Sequence, residues 1–139
     1  MAKTARDLMT PDAECIGENE NLVTAARKMR DLDVGALPIC GEDQRLKGML
    51  TDRDIVIGCI ADGGDPATVV ASQFATGKPV TIGADDSAEE ILRTMAKNQV
   101  RRLPVIDGHQ LVGMVAQADV ARALPDRKVG DVLGEISED

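Results

Sequence analysis

Aromatic side chains are almost missing: Phe74 stands alone, with no Trp and no Tyr in 139 residues. A planar ligand therefore has to lie between aliphatic side chains, because stacking on a ring is not available. Histidine is as scarce, His109 being the only one, and the three cysteines Cys15, Cys40 and Cys59 form no CxxC pair. No metal site is expected, since a tetrahedral zinc site needs four soft or imidazole ligands brought together. The plain reading of the cysteines is as small buried hydrophobes. Long apolar runs are absent too, and the stretch from Met1 to Asp7 lacks the hydrophobic segment of a signal peptide. A cytoplasmic chain with no membrane partner is the expectation. Positive charge is in deficit, with a formal net charge of -8, so the surface repels phosphate backbones and no nucleic acid polymer is expected as a partner. Nothing pairs a nucleophile with a base, and no glycine-rich loop is built to cradle phosphate. The chain does not read as an enzyme, and no catalytic residue is assigned.

What is present is a repeat. Val34, Leu37 and Pro38 return as Val100, Leu103 and Pro104, and Leu46, Gly48, Met49 and Asp54 return as Leu111, Gly113, Met114 and Asp119. Such internal similarity sets the architecture before any local assignment. The breaker cluster Asp62-Gly63-Gly64-Asp65-Pro66 is the best boundary between copies. Residues 1–66 are the first copy with its lead-in, 67–125 the second, and 126–139 an acidic tail, weakly amphipathic through Val129, Val132, Leu133 and Ile136.

Each copy reads as strand, helix, strand, strand, helix. Thr4 to Met9 predicts a short helical lead-in, stopped by Thr10-Pro11, and Val69 to Phe74 is its counterpart. Glu14 to Ile16 and Val80 to Ile82 are the first strands. Asn21 to Asp31 is a helix capped by Asn21, with Leu22, Ala25, Ala26 and Met29 on its buried face, and Ser87 to Asn98 is its copy, with Ser87 and Glu90 in a capping box. Ala36 to Cys40 with Leu46 to Leu50, and Val100 to Ile106 with Leu111 to Val115, form antiparallel hairpins. The helix from Asp54 to Ala61 carries Ile55, Val56, Ile57 and Ile60, too apolar all round to keep one face in water. The copy's last helix runs from Ala118 to Leu124. The class is α+β: two pseudo-twofold-related halves, each a small mixed three-stranded sheet with helices. Half a chain of this size buries little alone, so the halves are expected to share burial.

The doubled pattern, apolar-x-x-Leu-Pro-apolar, a hairpin, then Gly-apolar-apolar-Thr-x-x-Asp opening a helix, resembles the tandem cystathionine β-synthase (CBS) domain pair, or Bateman module, of the free-standing bacterial kind. The resemblance covers Thr4 to Leu124. It implies a regulatory module that binds an adenosine-containing ligand, an adenine nucleotide of the AMP, ADP or ATP class, between the two motifs, with no cofactor required. Carried over by position, one cleft combines Thr51 and Asp54 on the ribose with Val80 and Thr81 near the base, Arg102 on phosphate and Arg101 assisting. A carboxylate can take both ribose hydroxyls, and a guanidinium binds phosphate bidentately. The second cleft pairs Asp119 with Cys15, Ile16 and Ala36; Ala116 and Ala36 replace its Thr and Arg, so it is expected to be empty or weak. The resemblance also implies a homodimer formed through the helices, and an effector protein it does not identify.

Structural roles stand beside these. Thr51 and Asp54 also fit a helix capping box, Arg101 and Arg102 a solvated pair, and His109 an exposed hairpin tip. Pro38 and Pro104 are expected to shape a strand edge. The fold implied for the family makes the strands of Cys15 and Cys40 parallel neighbours, within reach of a disulfide that would be a redox device in a reducing compartment. The alternative to a sensor is a dimeric interaction or stress-response protein that keeps the fold without the ligand.

Overall fold

The computed structural model describes residues 3–75 and 77–124; the acidic tail 126–139 lies outside the described residues. The chain forms two compact units, one of residues 14–79 and one joining the residues up to Ala13 with those from Val80 onward. Packing units and sequence repeats are thus offset, because each lead-in packs with the repeat that is not its own.

In the unit of residues 14–79, β2 (Ile16–Gly17) runs parallel to β3 (Ala36–Cys40), which pairs antiparallel with β4 (Leu46–Thr51). Helix α2 (Leu22–Leu32) crosses from β2 to β3, and Asn21 Oδ1 caps it by accepting from Thr24 N–H at 2.9 Å. Leu22, Ala25 and Met29 face the core as expected, whereas Ala26, at the edge of the apolar stripe, is exposed. The chain leaves α2 through Asp33 in the left-handed conformation, φ 55°, which turns it back towards the sheet. The linker then returns as a 3-10 helix, Ala71–Phe74, beside β4. Ala71 N–H donates to Glu20 O and Ser72 N–H to Glu18 O.

The other unit repeats this plan. Here β5 (Ile82–Gly83) is parallel to β6 (Arg102–Asp107), and β6 is antiparallel to β7 (Gln110–Ala116). Helix α3 (Ala88–Asn98) is capped by Ser87 and left through Gln99 at φ 55°, and α4 (Gln117–Ala121) closes the unit. Ser87 caps alone: Glu90 turns its Oε2 to Arg93 at 2.6 Å rather than completing the box. Lead-in helix α1 (Ala5–Leu8) is fixed by Ala5 N–H to Asp86 O and Arg6 N–H to Ala84 O, both 2.9 Å.

The expected three-stranded sheet becomes four-stranded in this unit. Thr10–Pro11, read as a helix stop, extends into β1 and pairs antiparallel with β7, Pro11 opposite Gly113. Gly113 makes that possible, for a Cβ there would stand 2.6 Å from Thr10 O. The prolines are also corrected: Pro38 and Pro104 lie in the central strands β3 and β6, buried, not at a sheet edge. Both positions precede the parallel ladder, which starts at Ile39 and Val105, so the missing N–H interrupts no parallel pairing.

Each unit carries its own core. Ile16, Leu22, Leu37, Ile39 and Leu50 anchor one cluster, and Ile91, Leu92, Met95, Leu103 and Val115 the other. No helix among the described residues is long and apolar enough to cross a membrane.

Candidate ligand-binding site

Thr51 ends β4, opposite Ala36 on β3, and the helix that follows begins three residues later. The two residues of the motif meet in a reciprocal cap: Asp54 N–H donates to Thr51 Oγ1 at 3.0 Å, and Thr51 N–H donates to Asp54 Oδ2 at 2.9 Å. The structural role suggested by the spacing is therefore present. It uses one carboxylate oxygen. Among the described residues Asp54 Oδ1 has no hydrogen-bond partner, and both side chains are half-buried at the open end of β4.

The helix that Asp54 opens is a π-helix, Asp54–Ile60, with wide-ring bonds such as Ala61 N–H to Val56 O at 2.9 Å and Gly64 N–H to Cys59 O at 2.8 Å. The α-helix implied by the sequence and the π-helix observed use the same residues, and apolar spacing does not separate them over two turns. π-segments of this kind recur at functional sites. Burial on most sides is corrected as well. Ile55 and Cys59 are buried, but Val56, Ile57 and Ile60 are 52%, 50% and 54% exposed. One face of the helix packs on the core and on Phe74, whose ring lies where a Cβ on Gly58 would come within 2.6 Å; the opposite face is about half open to solvent.

In the other unit, Arg101 and Arg102 begin the β6 hairpin, Arg102 standing opposite Ala116. Both are exposed and neither enters an ion pair among the described residues. Val80 and Thr81 are exposed just before β5, which begins later than the sequence suggests, at Ile82. Asp119 differs from its counterpart. Its Oδ1 accepts from Arg122 Nη2 at 2.8 Å, and Ala116 cannot return the cap. Of the residues assigned to that weaker cleft, Ile16 is fully buried in its own unit's core, Ala36 is half-buried, and Cys15 is joined to Cys40.

The disulfide joins residues whose Cα atoms are 5.7 Å apart. Beside it lies a cavity of about 390 Å³ whose walls include Glu18, Asn19, Lys28 and Glu42. Lys28 donates from Nζ to Cys15 O at 2.8 Å. Sequence reading missed this group, although Lys28 follows Ala25 by three positions, which turns it towards the α2 face beside β2. His109 is exposed in the turn between β6 and β7.

The model of the CBS domain matches residues 5–58 and 71–126. The chain belongs to the CBS domain family. It is 52% identical over 126 residues to hypoxic response protein 1 of Mycobacterium tuberculosis, covering 91% of this chain and 88% of that one. It is 37% identical over 135 residues to the CBS domain-containing protein YhcV of Bacillus subtilis, covering 96% and 95%. A crystal structure of hypoxic response protein I with two coordinated zinc ions superposes with a TM-score of 0.82 over 88% of this chain and 100% of that one. A structure of CBSX2 in complex with AMP gives 0.74 at 23% identity, over 86% and 94% of the two chains, which speaks to the fold. The tandem CBS pair is a regulatory type of module. As for zinc, no group of three or more His, Cys, Asp or Glu among the described residues is placed to hold a metal ion. Cys15 and Cys40 are engaged with each other and Cys59 is buried.

Proposed function

We propose that this chain is a non-enzymatic sensor whose CBS pair binds an adenosine-containing ligand, an adenine nucleotide of the AMP, ADP or ATP class. Asp54 takes the ribose hydroxyls with Thr51 beside it, Val80 and Thr81 lie near the base, and Arg102 with Arg101 meets phosphate. The observation that carries the reading is the difference between the two aspartates: among the described residues no cation pairs with Asp54, whose Oδ1 stays unpartnered, while Asp119 is ion-paired with Arg122. A half-buried carboxylate with a free oxygen suits a diol donor, and unpaired guanidiniums suit phosphate. The complex of CBSX2 with AMP is consistent with this class of ligand. Binding would act through unequal affinity for two arrangements of the module, read by an effector protein in the cytoplasm.

Calorimetric titration with AMP, ADP and ATP tests this. One ligand is expected to bind in the micromolar range, with binding lost in Asp54→Ala and weakened in Arg102→Ala, both variants keeping the circular dichroism of the parent. Equal affinity in all three proteins would overturn the assignment.

The exposed Val56, Ile57 and Ile60 favour a second reading, a dimeric interaction or stress-response protein that retains the CBS fold without the ligand. A homodimer covering that face is common to both readings. Absence of binding by all three nucleotides in a folded dimer would select the second.

A further inference from the structure

The residues around Cys15 and Cys40 form a site independent of the proposed nucleotide site, since the cavity they line shares no residue with Thr51, Asp54, Val80, Thr81, Arg101 or Arg102. Both cysteines line the same cavity but differ in access. Cys40 closes β3 and is 5% exposed, paired across both neighbouring strands. Cys15 precedes β2, is only half-buried, and has Lys28 fixed on its carbonyl. In thiol–disulfide exchange the sulfur attacked is decided by access and by the field around it. Lys28 places a cation where an incoming thiolate brings negative charge. The outer walls carry the opposite sign: Glu18, Glu20 and Glu42 stand against that single ammonium, and Glu20 is already engaged by Gly17 N–H at 2.8 Å.

We infer that the Cys15–Cys40 disulfide is an exchange site for low-molecular-weight aminothiols, which add to Cys15. The thiolate attacks Cys15 Sγ, a new S–S bond forms there, and the old bond breaks with its electron pair on Cys40 Sγ, which takes a proton from water. The product is a mixed disulfide at Cys15 and a free thiol at Cys40. A second equivalent of thiol, attacking the added sulfur, releases the small disulfide and leaves Cys15 reduced, so two thiols are oxidised for one protein disulfide reduced. The carboxylate walls admit a thiol that carries its own ammonium group and disfavour one with net negative charge.

The test uses the full-length oxidised protein with cysteamine or glutathione at matched thiolate concentration, quenched with iodoacetamide and mapped by peptide mass spectrometry. The adduct is expected on Cys15 and alkylation on Cys40. Cysteamine should react about tenfold faster at low salt, the lower end of what charged clefts do to association rates, and the gap should close as salt rises. Replacing Glu18→Gln and Glu42→Gln together should narrow the gap without moving the adduct. An adduct on Cys40, a cysteamine-to-glutathione ratio near one at low salt, or reaction only after unfolding in urea would overturn the inference.

Discussion

Removing the disulfide should destabilise the unit of residues 14–79 by an amount the chain separation sets. Cys15 and Cys40 are 25 residues apart in sequence and enclose all of α2. Closing a loop of that length in the unfolded chain costs about 3.5 kcal/mol of conformational entropy at 25 °C, which the crosslink removes from the denatured side of the balance. With a urea dependence of about 2 kcal/mol per molar, ordinary for a small protein, the midpoint falls by about 1.7 M. The variant Cys15→Ser with Cys40→Ala is preferable to a double serine, because the site at Cys40 is buried and a hydroxyl there would lack a partner. Far-ultraviolet circular dichroism must follow the transition, as Trp and Tyr are absent. Amide exchange supplies the location: protection should drop across α2, β2 and β3 and stay unchanged in α3, β6 and β7. A midpoint shift below about 0.5 M, or protection lost equally in both units, would refute the loop-entropy reasoning.

Two further outcomes follow from contacts at the lead-in. Gly113→Ala should cost about 1 to 3 kcal/mol, the scale of overpacking, because the new methyl meets Thr10 O and Met9 Sδ at 2.6 Å; urea titration showing no loss would contradict the β1 pairing. The Asp7 carboxyl lies below the ordinary carboxylate range, held there first by the Thr4 backbone N–H and then by the Thr4 hydroxyl. Its cap is therefore fully in place above the unfolded carboxylate pKa and is lost as pH falls through the lowered one. Proteolysis within Ala5–Leu8 should accelerate in acid for the parent, whereas Asp7→Asn should show no such acid step.

The elements that repeat were legible because the two copies share their punctuation. Asn21 and Ser87 cap the crossover helices, Asp33 and Gln99 end them in the same left-handed turn, and Gly17 and Gly83 each donate to a carboxylate three residues on, both at 2.8 Å. Local chemistry of this kind is written in short spacings. The lead-ins were not legible, because nothing within Thr4 to Pro11 or Val69 to Phe74 says which copy it packs against; that choice is made by Ser87 and Val70 bridging to partners distant in sequence. The cap between Thr51 and Asp54 was readable from its three-residue step. Its unpartnered oxygen was not, since that depends on what the next turn offers. Cys15 and Cys40 illustrate both cases: their proximity follows from parallel strands, but the cavity and the Lys28 contact depend on how α2 is rotated.

What the next turn offers is where the two copies part. Ile57 occupies the position that Arg122 holds in the second copy, three residues after the motif aspartate. Arg122 neutralises Asp119; an isoleucine cannot do the same for Asp54. Val56 and Ile57, half exposed, face water where the second copy has Ala121 and Arg122, while the inward positions keep their character as Ile55 and Val120, both buried. Divergence at these two positions on the outer face of one helix therefore leaves the first copy with an aspartate that has no cationic partner among the described residues and with an exposed apolar face, whereas in the second copy Arg122 pairs with Asp119. Placed within one turn of each other, the ligand contact proposed at Asp54 and the proposed covering of Ile57 would act on the same π-helix, the element through which occupancy at one would bias the other.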